Sequence, residues 1–196
     1  MKKILLFLLP ILIFASCNEQ DYTPKPRAYF RIDLPKKGNY QTYSPADCPY
    51  QFEYPAYAKI ERDSTFFDEK TEDPCWLNIS FNSLGGMIHV SYKPITKDQT
   101  LFKLSEDAHK MSFKHTVRAD YIEERVINNR FGAKGILYDI GGNAASNVQF
   151  FLTDSTNHYL RGALYFSAAP NADSLEPVID FVRADMVHII ESFKWK

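Results

Sequence analysis

Trp76-Leu77-Asn78-Ile79-Ser80-Phe81 is followed, past Gly85-Gly86, by Ile88-His89-Val90-Ser91-Tyr92-Lys93, and these two runs decide the fold. In each run apolar and polar residues alternate with a period of two, the spacing of a strand with one buried face. The glycines between them read as turn residues, so the pair forms a β-hairpin. The expected register sets Phe81 opposite Ile88, Ile79 opposite Val90 and Leu77 opposite Tyr92. A slip of one residue would send one strand's apolar set to the wrong face. The opposite face then carries Trp76, Asn78, Ser80, His89, Ser91 and Lys93, a polar and aromatic set that is the candidate interaction surface of the chain. An ordinary solvated sheet face has the same composition.

Upstream of the hairpin, Tyr50, Phe52 and Tyr54 alternate with Gln51 and Glu53 until Pro55 ends the run. Downstream, the spacing predicts a helix over 100–119. Leu101, Leu104, Ala108, Met111 and His115 recur at steps of three and four, while Lys103, Lys110, Lys114 and Arg118 are polar. Four strands are expected next, over 121–130, 135–140, 147–153 and 158–166, with Asp154-Ser155-Thr156-Asn157 as the turn between the last two. A second helix closes the chain. Ser174 is its expected N-cap and Pro177 falls in its first turn. Val178, Val182, Met186, Ile189 and Phe193 mark its buried face; Asp180, Arg183, Glu191 and Lys194 mark its wet one. This order predicts an α+β fold, a mostly antiparallel β-sheet flanked by two amphipathic helices. The layout resembles the PsbP-like sandwich, with Phe52-Glu53-Tyr54-Pro55 as an opening strand and Ser192-Phe193 ending the last helix. That likeness is one of fold and transfers no function.

At the start of the chain, Lys2 and Lys3 precede an apolar run from Ile4 to Phe14, and Ala15-Ser16 are the small residues that a signal peptidase needs. The run carries Pro10 and is shorter than the ~20 residues required to span a bilayer. Cys17 directly after Ala-Ser reads as a bacterial lipobox, with Phe14 where the pattern usually has Leu, Val or Ile. The expectation is a signal peptide over 1–16, acylation of Cys17 and attachment of the chain to a membrane through that lipid. Residues 17–47 contain Pro24, Pro26, Pro35 and Pro45 and read as a tether and extended lead-in. Part of this segment, around Ala28 to Leu34, is too apolar to be solvated throughout. A single domain over 48–196 follows. Without Lys2 and Lys3 the formal charge falls from -1 to -3, so no basic stripe marks a nucleic-acid partner.

With Cys17 claimed by the lipid, Cys48 and Cys75 form an even pair. In an exported chain they are expected to form a disulfide; two free buried thiols are the alternative. Neither has His or Asp at ligand spacing, and no metal is expected.

Catalytic patterns are scarce. The sequence has no Gly-x-Ser-x-Gly, no His-Glu-x-x-His and no Gly-rich loop leading into a helix. Asp154, Ser155 and His158 are the residue types of a hydrolytic triad, but three residues in one tight turn more often serve the turn itself. No catalytic residue, cofactor or small-molecule substrate is expected.

Several segments in one order resemble the gliding-motility lipoprotein GldD family of Bacteroidota. They include 26–35, Cys48-Pro49-Tyr50, Pro74-Cys75-Trp76-Leu77-Asn78-Ile79, Ser91-Tyr92-Lys93, 149–155, 160–166, 170–175 and Phe193-Lys194-Trp195-Lys196. Ala28 stands where glycine is expected. The resemblance implies a non-enzymatic envelope protein required for gliding and for type IX secretion, partnered by other proteins of that machinery. The outer membrane, periplasmic side, is the expected location. A different class of function, a small-molecule or glycan-binding module, is compatible with the polar-aromatic hairpin face.

Overall fold

The computed structural model describes residues 31–62, 65–66, 69–70 and 73–196. The signal peptide expected over 1–16, Cys17 and the expected tether as far as residue 30 lie outside the described residues.

The strands are β1 (Tyr40–Tyr43), β2 (Tyr50–Pro55), β3 (Lys59–Arg62), β4 (Thr65–Phe66), β5 (Glu69–Lys70), β6 (Leu77–Phe81) and β7 (Gly86–Pro94). Helix α1 (Leu101–Phe113) leads to β8 (Ala119–Asn128), β9 (Lys134–Gly142), β10 (Val148–Thr153) and β11 (His158–Phe166). Helix α2 (Ala172–Ser192) then runs into β12 (Lys194–Trp195). A seven-stranded sheet has the order β3-β6-β7-β11-β10-β9-β8, and every pairing in it is antiparallel. The meander β8 to β11 folds back so that its last strand joins the hairpin along β7. A three-stranded sheet, β1-β2-β12, and the antiparallel β4-β5 pair complete the set among the described residues. The architecture is α+β and mostly antiparallel, as the sequence pattern predicts.

The large sheet is covered on both faces, which explains why all six residues of β10 are buried. Val148, Phe150 and Leu152 enter one core with Leu77, Ile79 and Phe81 of β6, Tyr50 and Phe52 of β2, and the α2 residues Val178, Val182, Met186 and Ile189. Phe193 is also fully buried there. Each such side chain contributes about 1.5–3 kcal/mol by leaving water. Phe151 faces the other way, into a smaller core with Tyr138, Ile140 and Tyr159 under Leu104 and Ala108 of α1. The two helices therefore lie on opposite faces of one sheet.

Four expectations are corrected. The β6–β7 register is Phe81 with Gly86, Ile79 with Ile88 and Leu77 with Val90, two residues from the expected one. Alternation fixes parity only; the turn fixes register, here a 3-10 turn over Asn82–Leu84 ended by Gly85 at φ 63°. The N-cap of α2 is Asn171, whose side chain accepts from Ser174 N–H, so Pro177 sits in the second turn and not the first. Helix α1 stops at Phe113, and a 3-10 turn, Lys114–Val117, places His115 outside it. Its buried stripe continues through Ser112, whose hydroxyl bonds the Ala108 carbonyl at 3.0 Å and Gln149 at 3.3 Å; Met111 is exposed instead.

The folded body also begins before Cys48. Strand β1 pairs with β2 along Tyr40 to Tyr43. The Tyr40 hydroxyl donates to Asp185 of α2 at 3.0 Å, and Tyr57 donates to the same carboxylate. Tyr40 stacks on His188, and Lys37 lies over the Phe181 ring. By contrast Ile32 and Leu34, in the stretch expected to pack, are exposed. Cys48 and Cys75 are bonded, with Cα atoms 5.5 Å apart, and the Tyr50 hydroxyl seals the site by donating to the Cys75 carbonyl at 2.6 Å.

Candidate functional site

Helix α1 covers only part of its sheet face. It is pinned by Tyr159, whose hydroxyl donates to the Leu104 carbonyl at 3.0 Å and whose ring stacks on Phe151. Between the helix and the hairpin lies a groove of about 380 Å³. Its apolar floor and wall are Trp76, Leu104, Met111 and Tyr159. Trp76 is held across the hairpin by its indole N–H, which donates to the Tyr92 carbonyl at 2.7 Å.

The cations come from four elements. Lys93 and Arg161 project from neighbouring strands, because Lys93 pairs with Tyr159 and Ser91 with Arg161 in the β7–β11 register. Lys110 stands on the flank of α1 and Lys114 just past its end, at the start of the 3-10 turn, with Asp107 one turn before Lys110 as the single carboxylate in the lining. Lys110 bonds Glu106 at 2.9 Å, and Arg161 donates to Gln149. Nearby, the imidazole of His115 is held below its ordinary pKa by burial and by the Arg161 charge. Burial also pushes the Tyr138 hydroxyl up to about 12.

Of the six surface residues predicted from sequence, Trp76, Ser91 and Lys93 line this groove. Asn78 and His89 are register partners and bond each other side chain to side chain at 2.7 Å, and Ser80 is buried. These three share the sheet face without lining the groove. Residues contributed by α1 and β11 are missing from the sequence-based set. The step of Lys110 and Lys114 along one flank of the helix expected over 100–119 is a visible signal, but only the tertiary placement of α1 brings it beside Trp76.

The triad-like residues are used by their turn. Asp154 accepts from the backbone N–H groups of Thr156, Asn157 and His158, each at 2.9 Å. Burial pushes its pKa up, but these bonds outweigh it and the net shift is downward. The His158 ring points elsewhere, bonding the Tyr92 hydroxyl at 2.8 Å and stacking on Trp195. Among the described residues no group of three or more His, Cys, Asp or Glu is placed to hold a metal, and no helix is long and apolar enough to cross a membrane.

Residues 19–195 match the family described as gliding motility lipoprotein GldD. The chain belongs to this family. Membership in the GldD family associates it with gliding motility and with lipoproteins of the cell envelope, and the family is not one of known enzymes. No match to a curated protein was found. Among solved structures, the solution structure of cyanobacterial PsbP (CyanoP) from Synechocystis sp. PCC 6803 is similar. Identity is 16%, the match covers 83% of this chain and 99% of that one, and the TM-score is 0.47.

Proposed function

We propose that this GldD-family chain is a docking and assembly component of the gliding apparatus and its associated type IX secretion machinery, without enzymatic activity of its own. It is held by acylated Cys17 at the outer membrane, facing the periplasm. In this reading residues 1–16 are removed, the segment after Cys17 is a tether, and the folded body presents a surface to other envelope proteins. The supporting observation is the sheet face beside α1, where, among the described residues, an aromatic groove is rimmed by cations. The lead-in joins the body through Tyr40 and Asp185 on the α2 side, so the groove lies on the opposite sheet face.

Clean deletion of the gene is expected to abolish colony spreading and export of gliding adhesins together; unchanged motility and export would sink the reading. Replacing the lipid anchor tests the tether separately. A Cys17→Ser chain with an ordinary signal peptide should lose most spreading at native expression and regain some when overproduced, because anchoring acts through local concentration. Full spreading of that soluble form at native level would show the anchor to be dispensable.

A further inference from the structure

We infer that the groove beside α1 takes an acidic peptide segment of a protein partner, anchored by an apolar side chain. The inference rests on the docking function above and names the chemistry of its partner.

Charge is the first argument. Lys93, Lys110, Lys114 and Arg161 share the lining with Asp107 alone, in a chain whose formal net charge is -1. The excess cation is therefore concentrated here against the sign of the whole molecule. Lys93 and Lys114 have no ion-pair partner among the described residues, and Lys110 and Arg161 are held by one group each. Like charges gathered around one groove raise the local potential and draw an anionic partner to it.

The shape of the groove decides which anion. Trp76, Leu104 and Met111 line the same cleft as the cations. A lipid bilayer engages apolar side chains on a protruding face, whereas these residues line a cleft. A neutral glycan needs acceptors as well as donors, and Asp107 is the one carboxylate available. A peptide with carboxylates flanking a Leu or Phe meets both features: its apolar side chain fills the floor while the acids reach the rim. A volume of about 380 Å³ is at the small end of ligand-sized clefts and suits an anchor of that kind. Met111 adds adaptability, since an unbranched thioether repacks around anchors of different shape.

The test uses the full-length lipoprotein in detergent and a fluorescein-labelled peptide of repeating Glu-Asp-Leu-Phe. Saturable binding is expected, weakened at least about tenfold by the triple change Lys93→Glu, Lys110→Glu and Lys114→Glu. The corresponding Lys→Arg triple variant should bind like the parent. A control peptide with Ser in place of Leu and Phe should bind at least about tenfold more weakly, because the anchor is lost. Raising salt from about 0.1 M to about 1 M, which shortens screening from about 10 Å to about 3 Å, should weaken the parent far more than the Glu variant. No saturable binding, unchanged binding by a Glu variant with the parent's thermal midpoint, or equal binding of the Ser peptide would overturn the inference. So would tighter capture of heparin or of phosphatidylglycerol vesicles through the same lysines, which assigns the groove to a glycan or a membrane. If gene deletion abolishes spreading and the peptide does not bind, this inference fails alone; if deletion leaves spreading intact, the docking function itself fails.

Discussion

The hydroxyl of Tyr40 donates to the carboxylate of Asp185 at 3.0 Å, joining two residues 145 positions apart. Asp185 is buried and also accepts from Tyr57, with the Lys37 ammonium 3.8 Å away. Asp185→Ala removes the acceptor of two phenols and is expected to cost about 3 kcal/mol, while Asp185→Asn, which keeps an acceptor, should cost less. A chain starting at Cys48 lacks β1 and Tyr40 and should unfold at lower denaturant than one starting at Arg31. Urea midpoints of these four proteins and of the parent check this, and equal midpoints would contradict it.

The same contact carries a pH signature. Burial first, and then the bond to Asp185 and its charge, push the Tyr40 phenol up to about 12. The folded chain thus keeps a proton that the unfolded chain loses near pH 10. Its stabilisation is complete below about pH 10 and is lost as pH climbs toward 12. Tyr138 is likewise pushed up to about 12, and Tyr57 in the same direction, so the parent should weaken steeply in this window. Tyr40→Phe is expected to reduce the difference between urea midpoints measured at pH 9 and pH 11. An undiminished difference would show that Tyr40 is not coupled to folding.

Opening the Cys48–Cys75 bond releases a loop with a sequence separation of 27. In the loop-entropy treatment, the Cys48→Ser, Cys75→Ser double variant loses about 3 to 4 kcal/mol. At 2–4 °C per kcal/mol for a domain of this size, the thermal midpoint should fall by roughly 10 °C. Calorimetry of parent and variant is the check; a midpoint within about 2 °C of the parent's would mean that the bond does not constrain the chain.

Gly162 faces Phe150 directly in the β10–β11 register, and a Cβ there would stand 2.4 Å from the ring. Gly162→Ala is expected to destabilise by about 1–3 kcal/mol through overpacking. Phe150→Leu in the same chain should recover part of that cost, giving a coupling visible in a double-mutant cycle. Strictly additive losses would place the strain elsewhere.

These residues also show where sequence reading works. The period of two in Leu77 to Phe81 and in Ile88 to Tyr92 survives any even register shift, so the buried face was legible and the pairing was not. The α2 stripe from Val178 to Phe193 was legible for a similar reason: its one apolar face packs on a broad core. Strands β1, β3 and β12 have no alternation long enough to read, because each is short and is completed by neighbours distant in sequence. In the groove, Trp76, Ser91 and Lys93 followed from hairpin parity. Lys110, Lys114 and Arg161 required knowing where α1 crosses the sheet, which depends on long-range contacts such as Tyr159 to Leu104. Met111 was assigned to the core by a helical period that the burial of Ser112 shifts by one residue.

Colony spreading of a strain carrying Lys93→Glu, Lys110→Glu and Lys114→Glu at the chromosomal locus tests the docking surface most directly. Lys110 and Lys114 are exposed and Lys93 is half-buried, so the protein should accumulate at the parental level, as immunoblotting can verify. At equal abundance, spreading and adhesin export should be reduced to the level of the gene deletion, with the Lys→Arg triple variant indistinguishable from the parent. Parental spreading by the Glu variant, in a background where deletion abolishes it, would contradict the assignment of the groove as the docking site.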